Sequence, residues 1–203
     1  MIIFLNGATS SGKTSIVKAL QYLEEKPWVA VGIDTMINMM PHKYWAGGEQ
    51  AEKGFTFISD HDQEGHPIMS IKMGVFGHTI ANSLVDMVSL LDKAGLDIIV
   101  DEVLLGDELL KNYVKSLKLS KVYFIGIHCD LRILEEREIL RGDRYIGSGR
   151  DQISRCHGPT RQYDLEVDTT LQSSFECVKL ILNFIASNDD PKSFKTLREK
   201  FLL

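Results

Sequence analysis

The sequence predicts an α/β fold, a parallel β-sheet with helices on both faces. Three observations predict it. Short apolar runs alternate with stretches whose apolar residues recur at helical spacing. A glycine-rich loop, Gly7-Ala8-Thr9-Ser10-Ser11-Gly12-Lys13-Thr14, joins the first such run to the first helical stretch. Acidic residues (Asp34, Asp101, Glu102, Asp130 and Asp168) stand at or just after the ends of the apolar runs. Ligands of such sheets bind beyond the carboxyl ends of the strands, so these acids can converge on one crevice with the loop.

Each element has its own justification. Residues 1–6 are an apolar run of strand length, and Ser15 to Leu23 carries apolar residues at helical spacing. Pro27 ends a turn, and Trp28 to Ile33 reads as a second buried strand stopping at Asp34. Thr35 to Met40 predicts a short helix stopped by Pro41. Residues 42–72 are polar and poorly periodic. Within them Phe55–Ser59 and Pro67–Ile71 flank Asp60-His61-Asp62-Gln63-Glu64-Gly65-His66, which suggests a small hairpin. Phe76, Ile80, Leu84, Val88 and Leu91 stripe a long amphipathic helix, with Gly95 placed to end it.

Ile98-Ile99-Val100 is a third strand ending at Asp101-Glu102, and Leu110, Val114 and Leu117 mark the next helix. Val122 to Ile127 is a fourth strand, after which Asp130 is placed to cap a helix running to about Leu140. Residues 141–150 are basic and glycine-rich, predicting a mobile lid loop before a short helix. Tyr163 to Asp168 is the fifth strand, and Phe175, Val178, Leu182 and Ile185 stripe the helix after it. Asn188-Asp189-Asp190-Pro191 interrupts the chain before a last short helix, expected to pack on the same domain.

The composition bounds the function. The chain has 203 residues, 44% hydrophobic and 25% charged, enough for one domain with a substantial core. A net charge of −5 gives no overall basic footprint for nucleic acid. No apolar run reaches membrane-spanning length, so no membrane partner is expected. Cys129, Cys156 and Cys177 show no paired spacing, which reads as reduced thiols of a cytoplasmic protein.

The residue types at the strand ends carry the chemistry. Gly7 and Gly12 let the loop turn its N–H groups inward at an anion, and the helix N-terminus adds its own donors. The pattern G-x-x-x-x-G-K-T places Lys13 to reach the β- and γ-phosphates and the Thr14 hydroxyl to ligate Mg²⁺. Residues 7 to 15, Ser15 included, are therefore the expected nucleotide site. Asp34 can accept the proton of an acceptor hydroxyl as a general base, or cap the helix that follows it. Asp101 and Glu102 form the acidic strand end that accompanies such a loop and supports the metal. Which of the two faces the metal is open.

Arg137, Arg141, Arg144 and Arg150 follow the fourth strand, with Arg137 and Arg141 sharing a helix face. Closing over a transferring phosphoryl group, such arginines stabilise its spreading charge. The interleaved Glu135, Glu136 and Glu138 can instead pair with them. Asp168-Thr169-Thr170 either touches the nucleotide base or, the stronger expectation, caps the last helix of the body. Asp60, His61, Asp62 and His66 are read as a solvated turn, not a metal site.

At this point the sequence resembles a known family, the chloramphenicol phosphotransferase-like kinases. The resemblance rests on Asn6 to Thr14, Gly32 to Ile37, Ile99 to Val103, Cys129-Asp130, Arg137 to Arg144 and Tyr163 to Thr170. The arginine–glycine–aspartate–arginine stretch ending at Arg144 and the Val-Asp-Thr-Thr ending are its most specific parts. It implies a three-layer P-loop NTPase fold with a five-stranded parallel sheet in the nucleoside-monophosphate-kinase manner. It implies ATP- and Mg²⁺-dependent phosphorylation of a small-molecule hydroxyl, with Asp34 as base and Arg137 and Arg141 acting on the phosphates.

The expectation is thus a kinase domain over residues 1–187, with an acceptor-side insertion at 42–72, a lid at 141–150 and a helical tail at 188–203. Lys13, Asp34, Arg137 and Arg141 are the expected catalytic residues. Residues 7–15 and Arg144 are expected to bind ATP, and Thr14, Asp101 and Glu102 to hold Mg²⁺. The partner is a small-molecule alcohol, and homo-oligomerisation is left open. The alternatives are a nucleoside or nucleotide kinase, and a nucleotide-dependent binding protein with slow hydrolysis that grips a partner through its tail or the 42–70 segment.

Overall fold

Ile2, Ile3, Phe4 and Leu5 have no solvent exposure at all, which places their strand at the centre of a sheet covered on both sides. A computed structural model shows how, for residues 1–202. Strand β1 (Ile2–Asn6) leads into helix α1 (Lys13–Leu23), followed by β2 (Trp28–Gly32) and α2 (Ile33–Asn38). Two short 3₁₀ turns precede the antiparallel hairpin β3 (Phe55–His61) and β4 (Pro67–Met73). Then come α3 (Val75–Lys93), β5 (Asp97–Glu102), α4 (Asp107–Ser116), β6 (Val122–His128) and α5 (Leu131–Arg141). The chain closes with α6 (Ser148–Cys156), β7 (Leu165–Asp168), α7 (Ser174–Ser187) and α8 (Ser193–Phe201).

The main sheet has the order β2-β5-β1-β6-β7 and every pairing in it is parallel. Alternation along β1 divides the core into two layers. Ile2 and Phe4 face a cluster with Leu84, Val100, Tyr113 and Phe124. Ile3 and Leu5 face another with Ile16, Leu20, Val178 and Ile181. Phe4 meets Tyr113 edge-on at 4.8 Å and Phe124 at 5.5 Å. Phe194 and Leu197 of α8 are buried in the first of these clusters, so the tail spends its apolar face on the chain's own body.

The hairpin forms a two-stranded sheet of its own. Its turn is built by Asp62, whose carboxylate accepts from the backbone N–H of Glu64 at 2.9 Å and of His66 at 2.8 Å. Those bonds, the one from His66 foremost, hold the Asp62 carboxyl below the usual carboxylate range. The hairpin docks on α6: Ser70 Oγ donates to Asp151 Oδ1 at 2.8 Å and Met69 N to Gly147 O at 3.1 Å. Gly147 has φ +92°, and a Cβ there would lie 2.4 Å from Pro67 O, so only glycine permits this approach.

The sequence places five strands, the hairpin and the helices where they are found. The lid differs. The loop is confined to 142–147, and Arg150 lies within α6. The helix begins early because Glu138, itself buried, accepts from the N–H of Gly147 at 2.8 Å and of Gly149 at 3.0 Å.

Candidate active site

The phosphate loop, the ends of β2 and β5, the hairpin and the lid all open on one cavity of about 1200 Å³. Ser10 at φ +58° and Gly12 at φ +93° curl the loop through two left-handed positions. Its outer side is tied down: Thr9 N donates to Gln152 Oε1 at 2.8 Å, and Thr169 Oγ1 donates to Ser11 O at 2.7 Å. Lys13 is buried, donates from Nζ to Ala8 O at 2.9 Å, and lies 3.7 Å from Asp101 Oδ1. Ser10 Oγ and Ser11 Oγ are buried with no hydrogen-bond partner, as expected of a loop whose partner is a ligand.

Alternation separates the two acids at the end of β5. Asp101 faces the loop, where Thr14 Oγ1 donates to its Oδ2 at 2.8 Å. Glu102 turns to the interior, accepting from Tyr113 OH at 3.0 Å and from Val103 N at 3.2 Å. Burial pushes its carboxyl up to about 7. The expected metal pair is thereby divided: Thr14 and Asp101 stand together, and Glu102 is a buried support of α4. Among the described residues no trio of His, Cys, Asp or Glu side chains gathers, so a cation here needs the Thr14 hydroxyl and ligand oxygens beside Asp101.

Asp34 lines the same cavity. It does not cap its helix, because α2 starts at Ile33 with Gly32 in the cap position and Asp34 falls in the first turn. Its carboxylate, more than half exposed, receives Arg144 Nη2 at 2.5 Å. The four arginines part company. Arg137 donates to Thr169 Oγ1 at 3.0 Å and to Thr169 O at 2.7 Å, which fixes it beside the phosphate loop. Arg141 pairs with Asp143 of its own loop at 3.1 Å. Arg150 is withdrawn from the lid, held by Glu135 at 2.7 Å and Asp62 at 3.0 Å. Pairing with the interleaved acids thus holds for Arg150 alone, which α6 carries up to Glu135 of α5.

The stretch after β7 differs from expectation too. Asp168 accepts from Thr170 N at 2.8 Å, and the Thr170 hydroxyl first and then that N–H keep its carboxyl below the usual range. The cap of α7 is Ser173, in a reciprocal capping box with Glu176. Thr169 is the functional member of the triplet, since it joins Arg137 to the loop.

Sequence reasoning missed two buried polar residues. Asn6 donates to Tyr163 OH at 2.7 Å and to Cys156 O at 2.9 Å, and accepts from Leu104 N at 2.9 Å. A polar residue closing an otherwise apolar strand was its signal. Gln152 sits in a helix with no motif, and nothing in its neighbours marks it.

Behind Asn6, His157 stacks on His128 at 4.0 Å and shares a hydrogen bond with Tyr163 OH at 2.8 Å. Burial, and then His128, push the His157 imidazole down to about 4. The unfolded chain takes up a proton near the usual value of about 6.5, which the folded chain refuses until about 4. Stability therefore falls as pH drops through that window. Thermal unfolding is expected to show a smaller loss between pH 7 and pH 5 in His157→Gln than in the parent, and an equal loss would contradict the assignment.

The other end of the cavity is aromatic. Trp45 and Phe57 meet edge-on at 5.0 Å, and Phe57 lies 4.3 Å from Tyr145 of the lid. Asn82, held by Asn112 Nδ2 at 2.7 Å, gives this end a polar wall.

Comparison with known proteins agrees with this geometry. The family described as chloramphenicol phosphotransferase-like protein matches residues 1–186. Two proteins of Mycobacterium tuberculosis, from strains CDC 1551 and H37Rv and both named "Putative O-phosphotransferase", are 26% identical over 201 residues, spanning 99% of this chain and 89% of theirs. Among solved structures, the APS kinase of Mycobacterium tuberculosis in complex with AMPPNP and APS aligns with a TM-score of 0.60 at 15% identity, over 91% of this chain and 96% of that one. A gluconokinase from Sinorhizobium meliloti 1021 aligns at 0.57 and 16% identity, over 91% of each chain. These structures share the fold of this chain. The chain belongs to the chloramphenicol phosphotransferase-like family of P-loop kinases, phosphotransferases that act on small molecules.

Proposed function

We propose that this kinase is ATP- and Mg²⁺-dependent and phosphorylates the hydroxyl of an uncharged, ring-bearing small molecule. The observation that carries the reading is that Asp34 and the phosphate loop line one cavity. Residues 7–15 fit a triphosphate, with unpartnered Ser10 and Ser11 hydroxyls and the Lys13 ammonium at hand. Thr14 and Asp101 would hold magnesium, which would supply neutralisation of the phosphate charge.

The chain's own residues divide the remaining work. Asp34 orients the acceptor hydroxyl and takes its proton as the acceptor oxygen bonds to phosphorus. The bond to the leaving diphosphate breaks, and its electron pair departs with ADP. Lys13 stays with the phosphates, and Arg137 and Arg141 face the charge that develops on the transferring group. Arg144 is placed to leave Asp34 for the phosphates as the lid closes.

The acceptor end supports an uncharged substrate. Of its cations, Arg155 is matched by Asp151, and Arg144 is committed to Asp34 or, on lid closure, to the nucleotide phosphates. An anionic acceptor would need a free one. The Trp45–Phe57–Tyr145 wall offers apolar faces to a ring instead.

ADP release with ATP and Mg²⁺ tests this against neutral aromatic alcohols including chloramphenicol, sugars, nucleosides and nucleoside monophosphates. A neutral ring-bearing alcohol is expected to stimulate release and to yield a product heavier by one phosphoryl group in mass spectrometry. Stimulation by nucleoside monophosphates alone would move the protein to the nucleotide kinases. Tight nucleotide binding with no stimulation by any compound would favour a binding protein.

A further inference from the structure

Three consecutive residues of α6 reach three different parts of the molecule, because neighbours on a helix diverge by about 100°. Arg150 holds Asp62 at the hairpin turn and Glu135 on α5, at 3.0 and 2.7 Å. Asp151 accepts from Ser70 in the hairpin at 2.8 Å. Gln152 accepts from Thr9 N in the phosphate loop at 2.8 Å. The hairpin and the nucleotide loop are thus fastened to adjacent positions of one helix.

Gln152 is largely buried and lines the cavity. Thr9 directly precedes Ser10, whose left-handed backbone is disfavoured for a residue with a side chain and persists only where neighbours enforce it. Among the described residues Gln152 supplies the one acceptor for the Thr9 N–H. The start of α6, which Glu138 fixes, is also held by the hairpin, through Met69 N on Gly147 O and the close approach of Pro67 to Gly147. A shift of the hairpin therefore moves the helix that carries Gln152.

We propose that Gln152 is a positioning residue for phosphoryl transfer: it preorganises the Thr9–Ser10 part of the loop and transmits to it the docking of the β3–β4 hairpin. The inference rests on the nucleotide reading above. Through this link, docking of the hairpin tightens the nucleotide site, and the reverse holds by reciprocity.

Calorimetric titration of the full chain with AMPPNP and Mg²⁺, a probe independent of acceptor and of chemistry, tests it. Gln152→Met keeps the volume and removes the acceptor oxygen. It is expected to weaken binding about 3- to 10-fold, the size of one lost hydrogen bond. Arg150→Met, far from the nucleotide, is expected to weaken it about 2- to 4-fold by freeing the hairpin. The double variant is expected to bind no more weakly than Gln152→Met alone, since the link is already cut. Parent-like binding by Gln152→Met, or two effects that multiply, would overturn the inference while leaving the kinase reading intact. Absence of binding in the parent would overturn both. Should Gln152→Met fail to fold, Gln152→Leu removes the same acceptor oxygen with a smaller side chain. It is then expected to weaken binding about 3- to 10-fold, and parent-like affinity would be the adverse result.

Discussion

Asp34→Asn is expected to lower kcat by about 10²- to 10⁴-fold while nucleotide affinity stays within about twofold of the parent. Asparagine keeps the shape of the side chain and still offers an oxygen to Arg144, so the lid contact and the first turn of α2 survive. What disappears is the ability to take a proton from the acceptor hydroxyl. The expected signature is a fall in kcat with little change in the nucleotide KM, read by single-turnover transfer to the acceptor found in the ADP-release panel. Transfer at near the parental rate would remove Asp34 from the chemistry and leave it a partner of Arg144 only.

The second large effect falls on stability. Asn6→Ala is expected to cost about 2–4 kcal/mol, the usual consequence of stranding several buried polar groups at once. Leu104 N would lose its acceptor and Cys156 O one donor, and Tyr163 OH would keep a longer approach to Cys156 O at 3.4 Å. These groups belong to the β5–α4 connection, to α6 and to the residues leading into β7, so the variant loosens three segments where the phosphate loop begins. Urea denaturation should show a lower midpoint with an unchanged slope, and AMPPNP binding should weaken in parallel. Asn6→Asp is a useful companion, because it keeps an acceptor for Leu104 N and loses both donated bonds. A loss under about 0.5 kcal/mol in Asn6→Ala would mean that other groups can satisfy this junction.

How much was legible in the sequence depends on how local the signal is. The loop from Gly7 to Thr14 needs eight consecutive residues between a strand and a helix, so its place in the fold could be read directly. The hairpin also declared itself, since Asp62 and Gly65 are turn residues whose roles are set within five positions. The errors came where a side chain had two possible roles and its neighbours in the folded chain chose between them. Asp168 has the composition of a cap, yet Ser173 and Glu176 form the cap and Thr170 engages Asp168. Asp101 and Glu102 are equivalent in a string of letters and become different only once the strand's pleat sends one to Thr14 and the other to Tyr113. Arg150 read as a lid arginine because its anchors include Asp62, 88 positions earlier. Gln152 and Thr9 are 143 positions apart, and no periodicity or motif connects them.

The self-paired hairpin has a consequence for how substrate range can change over generations. None of its strands joins the main sheet, and its far strand is fastened through side chains and single backbone contacts to α6. Insertions, deletions and side-chain replacements there leave the ladder of β1, β5 and β6 untouched. On the proposed function, the part of the molecule that meets the acceptor is free to diversify at a small thermodynamic penalty wherever its contacts with α6 are kept, while the part that handles the triphosphate is locked into the central strand and its neighbours. A laboratory library over residues 55–73 that keeps Asp62, Pro67, Met69 and Ser70 would explore new alcohols while sparing the transfer step.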